Sequence, residues 1–362
     1  MKEKIHPFHL GIILYMNQVG IGLFTMPRLV AETYGTNGWI ALLGHYFIAA
    51  INILLIYLVF KWSKGQSIFE SLEKVIPKFL LFPIYLFLIA QWSFLGVILA
   101  RYYVQILQIN NFQTTNAYPF IIIILILTFL LVMKGIYNIS KVTTLLFFFV
   151  IWIVFLGFWL IPVWDAINFT TFIFKGSSEN LIEGSINLYS SFLGYELILL
   201  FLPYLDTKRK NFTGVFFGHS LTLLIYIYTC IMCFGFYSFG QLLETLYPTL
   251  VLFEFIEFNF IERIDALVFP FFLSNIIVTT TIYFWSALEV SSRVLPMIKT
   301  KWLLIFLMVV ATLATLKVDI IRAIEAWIYK LTILEISVAF GLPLLVLLVL
   351  FVGKIKNKKG TI

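Results

Sequence analysis

Apolar runs of about 20 residues recur from end to end of this 362-residue chain, and no other feature limits its fold as strongly. A run of that length crosses the roughly 30 Å hydrocarbon core of a bilayer as a helix. Backbone groups in hydrocarbon must find hydrogen bonds inside the protein, which favours helices over irregular chain. Only 12% of residues are charged and 61% are hydrophobic, where a soluble domain carries about 25% charge. The expectation is an all-α polytopic membrane protein, a single transmembrane domain over 1–362. Ten spans are expected, at 9–33, 37–60, 79–108, 117–134, 142–163, 185–204, 211–239, 265–290, 301–317 and 334–353. The N-terminal "MKEKIHPFHLGIIL" lacks a small-residue cleavage site and its apolar run continues past Gly22, so it is expected to be retained. Trp62, Trp164, Trp302 and Trp327 fall near run ends, where amphipathic rings favour the interface.

Ten spans put both termini on one side. With the N-terminus inside, 18 of the 25 Lys and Arg residues lie on the inner side, while Arg28, Arg101, Lys175, Arg263, Lys317, Arg322 and Lys330 lie outside. That bias predicts cytoplasmic termini, and it explains the net charge of +7 without nucleic-acid binding. The basic tail at 356–362 flanks the last span and is suited to anionic lipid headgroups. In "SIFESLEKVIP" the spacing of Ile68, Phe69, Leu72, Val75 and Ile76 predicts a short helix on the inner interface. The stretch "LYPTLVLFEFIEFNFIERID" predicts an amphipathic outer hairpin or helix folded back over the bundle.

The first run contains "NQVGIGLFTMPR", with Gly20 and Gly22 two apart and Pro27 close behind. Glycine lets the backbone leave the helix and lets a ligand approach closely. Non-helical backbone at membrane depth survives only when buried in protein or lining a cavity. Asn17 and Gln18 add donors and acceptors beside it, and residues after Gly22 would start a second half-helix with its N–H groups at the gap. Taken alone, a glycine pair is better explained by tight helix packing. The sixth run tips the balance toward a cavity. There "SSFLGYELILLFLP" carries Gly194 in mid-run, followed by Tyr195 and Glu196, and an intramembrane carboxylate is costly unless paired, protonated or wet. Runs one and six open two five-helix halves, 1–165 and 180–355, of opposite topology. Matched interruptions in inverted repeats point to a transporter-type binding site.

"GIGLFTMPR", "SFLGYE" and "FIERIDAL", in that order, resemble the B subunit of bacterial spore germinant receptors. These spore germination permeases belong to the amino acid/polyamine/organocation transporter superfamily, and the likeness covers essentially the whole chain. It implies inverted five-helix repeats with broken first and sixth helices. It also implies a place in the inner membrane of the dormant spore, sensing a small nutrient, often an amino acid, beside an A subunit and a C-subunit lipoprotein. Gly20 and Gly22 match the unwound turn of the first helix, and Leu193, Gly194 and Glu196 match the sixth. The third and eighth helices wall the cavity in this fold, which brings in Val97, beside Gly96, and the pair Thr279 and Tyr283 on one helical face. The resemblance thus makes Val97 and Leu193 apolar walls and Thr279 and Tyr283 hydrogen-bond donors. An ordinary bundle contact is the alternative for each, and a membrane hydroxyl also bonds its own backbone. An amino acid would set its carboxylate against free N–H groups at the breaks and its ammonium against carbonyls or a side-chain acceptor, and Glu196 is placed either to supply a negative charge or to carry a proton.

Cys230 and Cys233 sit in an apolar run and read as small hydrophobes. His6, His9, His45 and His219 show no metal-ligand grouping, and no phosphate loop, catalytic triad or zinc signature occurs. No enzymatic activity, catalytic residue, metal or cofactor is therefore expected. Arg101, toward the outer end of the third run, is expected to snorkel outward. The competing function is a proton-coupled amino-acid symporter with Glu196 as its titrating group, although the sequence offers little further relay. A channel would need a polar stripe that the runs lack.

Overall fold

The computed structural model describes residues 3–359 other than 111, 257, 259–263, 317 and 319. The chain is helical nearly throughout. Helix α1 spans Pro7–Gln18, opened by a proline whose missing N–H costs nothing at that position and by His6, whose Nδ1 accepts from the Phe8 N–H at 3.2 Å. Helix α2, Gly22–Tyr34, leaves α1 at a bend of 61°. Then come α3 (Ala41–Ser63), α4 (Ile68–Glu73), α5 (Lys78–Asn110) and α6 (Ala117–Val132). Helix α7 (Gly135–Val150) tightens into a 3-10 stretch over Ile151–Val163. The second half holds α8 (Leu181–Ser190), α9 (Ile198–Phe201), α10 (Asn211–Phe236), α11 (Phe239–Glu244), α12 (Pro248–Glu254), α13 (Asp265–Val294), α14 (Thr300–Thr315) and α15 (Ile321–Lys359).

Six helical stretches are long and apolar enough to cross a bilayer among the described residues, and the bent pair α1–α2 makes a seventh. This is a multi-pass membrane protein. The other expected spans take different forms. Helices α6 and α14 have 16 residues each, about 24 Å at 1.5 Å per residue, short of the hydrocarbon thickness. The sixth run is interrupted between α8 and α9. The tenth starts earlier than the apolar run does, because 321–333 mixes Arg322, Glu325 and Lys330 into a helical stretch that hydropathy alone reads as loop.

Helix α13 lies along α5, and α1 lies along α10. The second contact is a small-residue seam. A Cβ on Gly214 would strike the Pro7 carbonyl, and one on Gly218 would strike that of Gly11, so glycine is what lets these backbones meet. Outward-facing Phe47, Ile51, Leu145 and Leu348 are exposed and apolar, as lipid contact requires. The short helix expected over 68–76 is α4, which buries Ile68, Phe69 and Leu72. Arg293, at the end of α13, reaches it by donating to Ser67 Oγ at 3.0 Å. The expected outer amphipathic helix is α12, packed on α2. Within that segment Glu257 and residues 259–263, which include Glu262, Arg263 and the first half of "FIERIDAL", lie outside the described residues, as does Lys317.

Candidate functional site: a cavity between two broken helices

Helix α1 ends at Gln18, Val19 turns extended, and helix resumes at Gly22. Every unwound carbonyl raises the question of where its hydrogen bond goes. The Tyr226 hydroxyl of α10 donates to the Gln18 carbonyl at 2.7 Å, and Asn275 Nδ2 of α13 donates to that of Val19 at 2.8 Å. Thr249 Oγ1 of α12 donates to the Leu23 carbonyl at 2.9 Å. The second break, between α8 and α9, is held largely by the first. Gln18 Nε2 donates to the Phe192 carbonyl at 2.5 Å, and Asn17 Nδ2 to that of Gly194 at 3.3 Å. Tyr226 Oη also stands 2.8 Å from the Ser191 carbonyl, so its one proton is shared between the two breaks. Gly194 has φ +102°, a conformation glycine adopts freely, and a Cβ there would fall on the Asn17 amide.

A cavity of about 910 Å³ runs from the breaks to the end of the bundle marked by Arg28, Glu32, Arg322 and Glu325. Asn17, Gly20, Gly22, Leu193, Thr279 and Tyr283 all line it. Gly20 faces open space, whereas Gly22 abuts Ser191 Oγ; helix packing accounts for the second and not for the first. Two buried polar atoms on the wall, Asn17 Oδ1 and Thr279 Oγ1, have no hydrogen-bond partner among the described residues. Thr279 therefore does not bond its own backbone.

Three candidates stand elsewhere. Val97 is fully buried and does not line the cavity. Gly96 turns toward α13, where a methyl added to it would stand 3.2 Å from the Phe284 ring, and the next residue of a helix points about 100° away. Helix α5 offers Leu99 and Tyr102 to the cavity instead. Gly194 shapes the break from behind Asn17. Glu196 is buried behind the wall, its Oε2 accepting from the Gly194 N–H at 2.7 Å.

A family model described as "Spore germination protein" matches residues 4–321. The chain belongs to the spore germination protein family. Among its relatives is spore germination protein A2 of Bacillus subtilis (strain 168), 26% identical over 305 residues, covering 78% of this chain and 80% of the relative. Spore germination protein GerQB of Bacillus cereus is 22% identical over 272 residues, 74% of each chain. Two solved structures share the fold. MhsT, in complex with L-phenylalanine, superposes with a TM-score of 0.68 at 13% identity, covering 97% of this chain and all of MhsT (100%). MHP1, a nucleobase-cation-symport-1 family transporter in a closed conformation with bromovinylhydantoin bound, gives 0.63 at 10% identity, covering 93% of this chain and 76% of MHP1.

In this spore germination protein several groups that hold the site together lie outside the residues singled out by sequence. Tyr226, Asn275 and Glu335 carry hydrogen bonds that keep the breaks open or lie against them, beside Gln18, which the sequence already marks next to Asn17. Glu335 obeys the rule that marks Glu196, being a single acid inside the last apolar run. Tyr226 and Asn275 carry no such signal, since a tyrosine or asparagine in a span identifies no partner. Arg101 departs from the snorkelling expectation. It is 5% exposed and donates from Nη1 to the Val318 carbonyl at 3.2 Å, in the link between α14 and α15. Cys230 and Cys233 are buried free thiols of α10, packed as small apolar groups.

Proposed function

We propose that the chain is the membrane subunit of a nutrient germinant receptor, which binds a small germinant, an amino acid, between the two broken helices. In this reading ten spans form two inverted five-helix halves, 1–165 and 180–355, in the inner spore membrane with both termini cytoplasmic. The signal passes to an A subunit and a C-subunit lipoprotein. The observation that carries the reading is the pair of unpartnered buried atoms, Asn17 Oδ1 and Thr279 Oγ1, on the wall of one cavity. A buried polar group left unpaired costs about 1–3 kcal/mol, and a polar ligand removes that cost. Asn17 Oδ1 is an acceptor suited to an ammonium, and the start of α2 at Gly22 suits a carboxylate. Leu193 and Tyr283 bound the side chain, Gly20 leaves it room, Gly194 and Glu196 set the break, and Val97 backs the wall. Sensing requires that the ligand favour one conformation over another.

A proton-coupled amino-acid symporter is the second reading, favoured by a further buried acid, Glu335, close to Glu196. Uptake of labelled amino acids into proteoliposomes holding this protein alone, with and without an inward proton gradient, separates the two. Specific binding without accumulation, abolished by Gly20→Leu, supports the receptor. Gradient-driven accumulation establishes the symporter and overturns the first reading.

A further inference from the structure

Glu196 and Glu335 are each 1% exposed, one within the break of the sixth run and one in the first half of α15. Glu335 is gripped by α5: the Trp92 indole N–H donates to Oε1 at 2.9 Å, and Gln91 Nε2 donates to Oε2 at 3.0 Å. Gln91 also donates to the Leu331 carbonyl one turn earlier on α15, at 2.8 Å. Glu196 receives only the Gly194 N–H on Oε2, and Oε1 has no donor among the described residues. The two carboxyl groups stand within hydrogen-bonding reach of each other. An ionised carboxylate is acceptor-only, so a bond between them needs a proton on one of them.

The titratable groups acting on the pair are Tyr189 and Tyr195 of the sixth run and Tyr283 of α13. No lysine, arginine or histidine acts on it among the described residues. Two ionised carboxylates side by side, buried and without a cation, strongly disfavour each other. We propose that Glu196 and Glu335 form a proton-binding site, holding one shared proton, that ties the break of the sixth span to α5 and α15. The tie runs from the Gly194 backbone through Glu196 and Glu335 to Gln91 and Trp92. With two side-chain N–H donors, Glu335 is the better-held partner; loss of the proton moves Glu196, and with it the Gly194 turn beside the cavity wall at Leu193. Tyr283 lines the cavity and lies near both carboxyls, so cavity and proton site share a neighbour. The inference holds whether the chain senses or transports.

Infrared spectroscopy of the full-length protein in lipid nanodiscs tests it without any germinant, so this proposal and the receptor reading fail separately. The wild type at neutral pH is expected to show the carbonyl stretch of a buried protonated carboxylic acid, shifted in D2O. Glu196→Gln and Glu335→Gln should each remove or displace that band. If either variant fails to fold, Trp92→Phe, which removes one donor from Glu335, must shift the band. No such band in the wild type overturns the proposal, as does a band left unchanged by Glu335→Gln or by Trp92→Phe.

Discussion

Replacing Gly194 by alanine should be among the most damaging single-methyl changes in this protein, and its size follows from two independent terms. The residue has φ +102°, and a left-handed backbone costs a non-glycine residue about 1–2 kcal/mol. The new methyl would also fall on the Asn17 side-chain amide, displacing it from the Gly194 carbonyl that it bonds at 3.3 Å. A buried amide deprived of its acceptor costs about 1–3 kcal/mol. The sum is about 3 kcal/mol, on the order of a hundredfold in the folded-to-unfolded ratio. Gly20→Ala is the internal control, because its methyl meets open space and its backbone needs no positive φ; its effect on stability should stay within about 1 kcal/mol. Thermal melting and denaturant titration of the purified protein in detergent micelles read both. Gly194→Ala should melt well below the wild type while Gly20→Ala melts beside it and binds ligand more weakly. Equal melting of Gly194→Ala and wild type would refute the stapled-break argument, and so would equal damage from the two alanines.

Gln18→Leu should cost about 1–3 kcal/mol in the same melting assay, since it strips the donor from the buried Phe192 carbonyl. Thr279→Val should leave stability unchanged or slightly raised, because the hydroxyl it removes has no partner among the described residues. On the proposed receptor reading the same change should weaken binding of an amino-acid germinant about tenfold, the worth of one ordinary hydrogen bond; isothermal titration reads the loss. Gly218→Leu should prevent α1 from seating on α10, where even a Cβ collides with the Gly11 carbonyl, and the protein should elute as aggregate in size-exclusion chromatography.

Helix character and the two interruptions are legible in the sequence because each rests on a local rule. Apolar runs of bilayer length have few other uses, and glycine in mid-run flags backbone that must be satisfied by something else. The short helix α4 is equally legible, since Ile68, Phe69 and Leu72 keep helical spacing between charged residues. What the sequence withholds is lateral. Nothing in "GVFFG" of α10 says that its glycines meet Pro7 and Gly11, so packing glycines and site glycines look alike until their neighbours are known. Val97 misses the cavity for a related reason: membership of the right helix does not give the rotation, and Gly96 turns the α5 face toward Phe284. Arg101 lies near a span end, which suggests snorkelling, but its partner, the Val318 carbonyl, sits more than 200 residues away in sequence.

The pairing of the breaks also explains why neither can be understood alone. An isolated unwound turn in hydrocarbon leaves carbonyls unbonded, each costing up to several kcal/mol, and the first break meets that cost with Tyr226 and Asn275. The second break has only Tyr226 in common with that solution and otherwise depends on Asn17 and Gln18, the last two residues of α1. Any motion of α1 along its axis therefore strains the second break directly, and any straightening of the second break releases Asn17. Asn17 also belongs to the cavity lining, and its Oδ1 is buried without a partner among the described residues. A ligand that engages Oδ1 while Nδ2 holds the Gly194 carbonyl bonds both breaks through one side chain. It is thus positioned to favour whichever conformation keeps the two turns in register, which is the differential affinity that a signalling subunit needs.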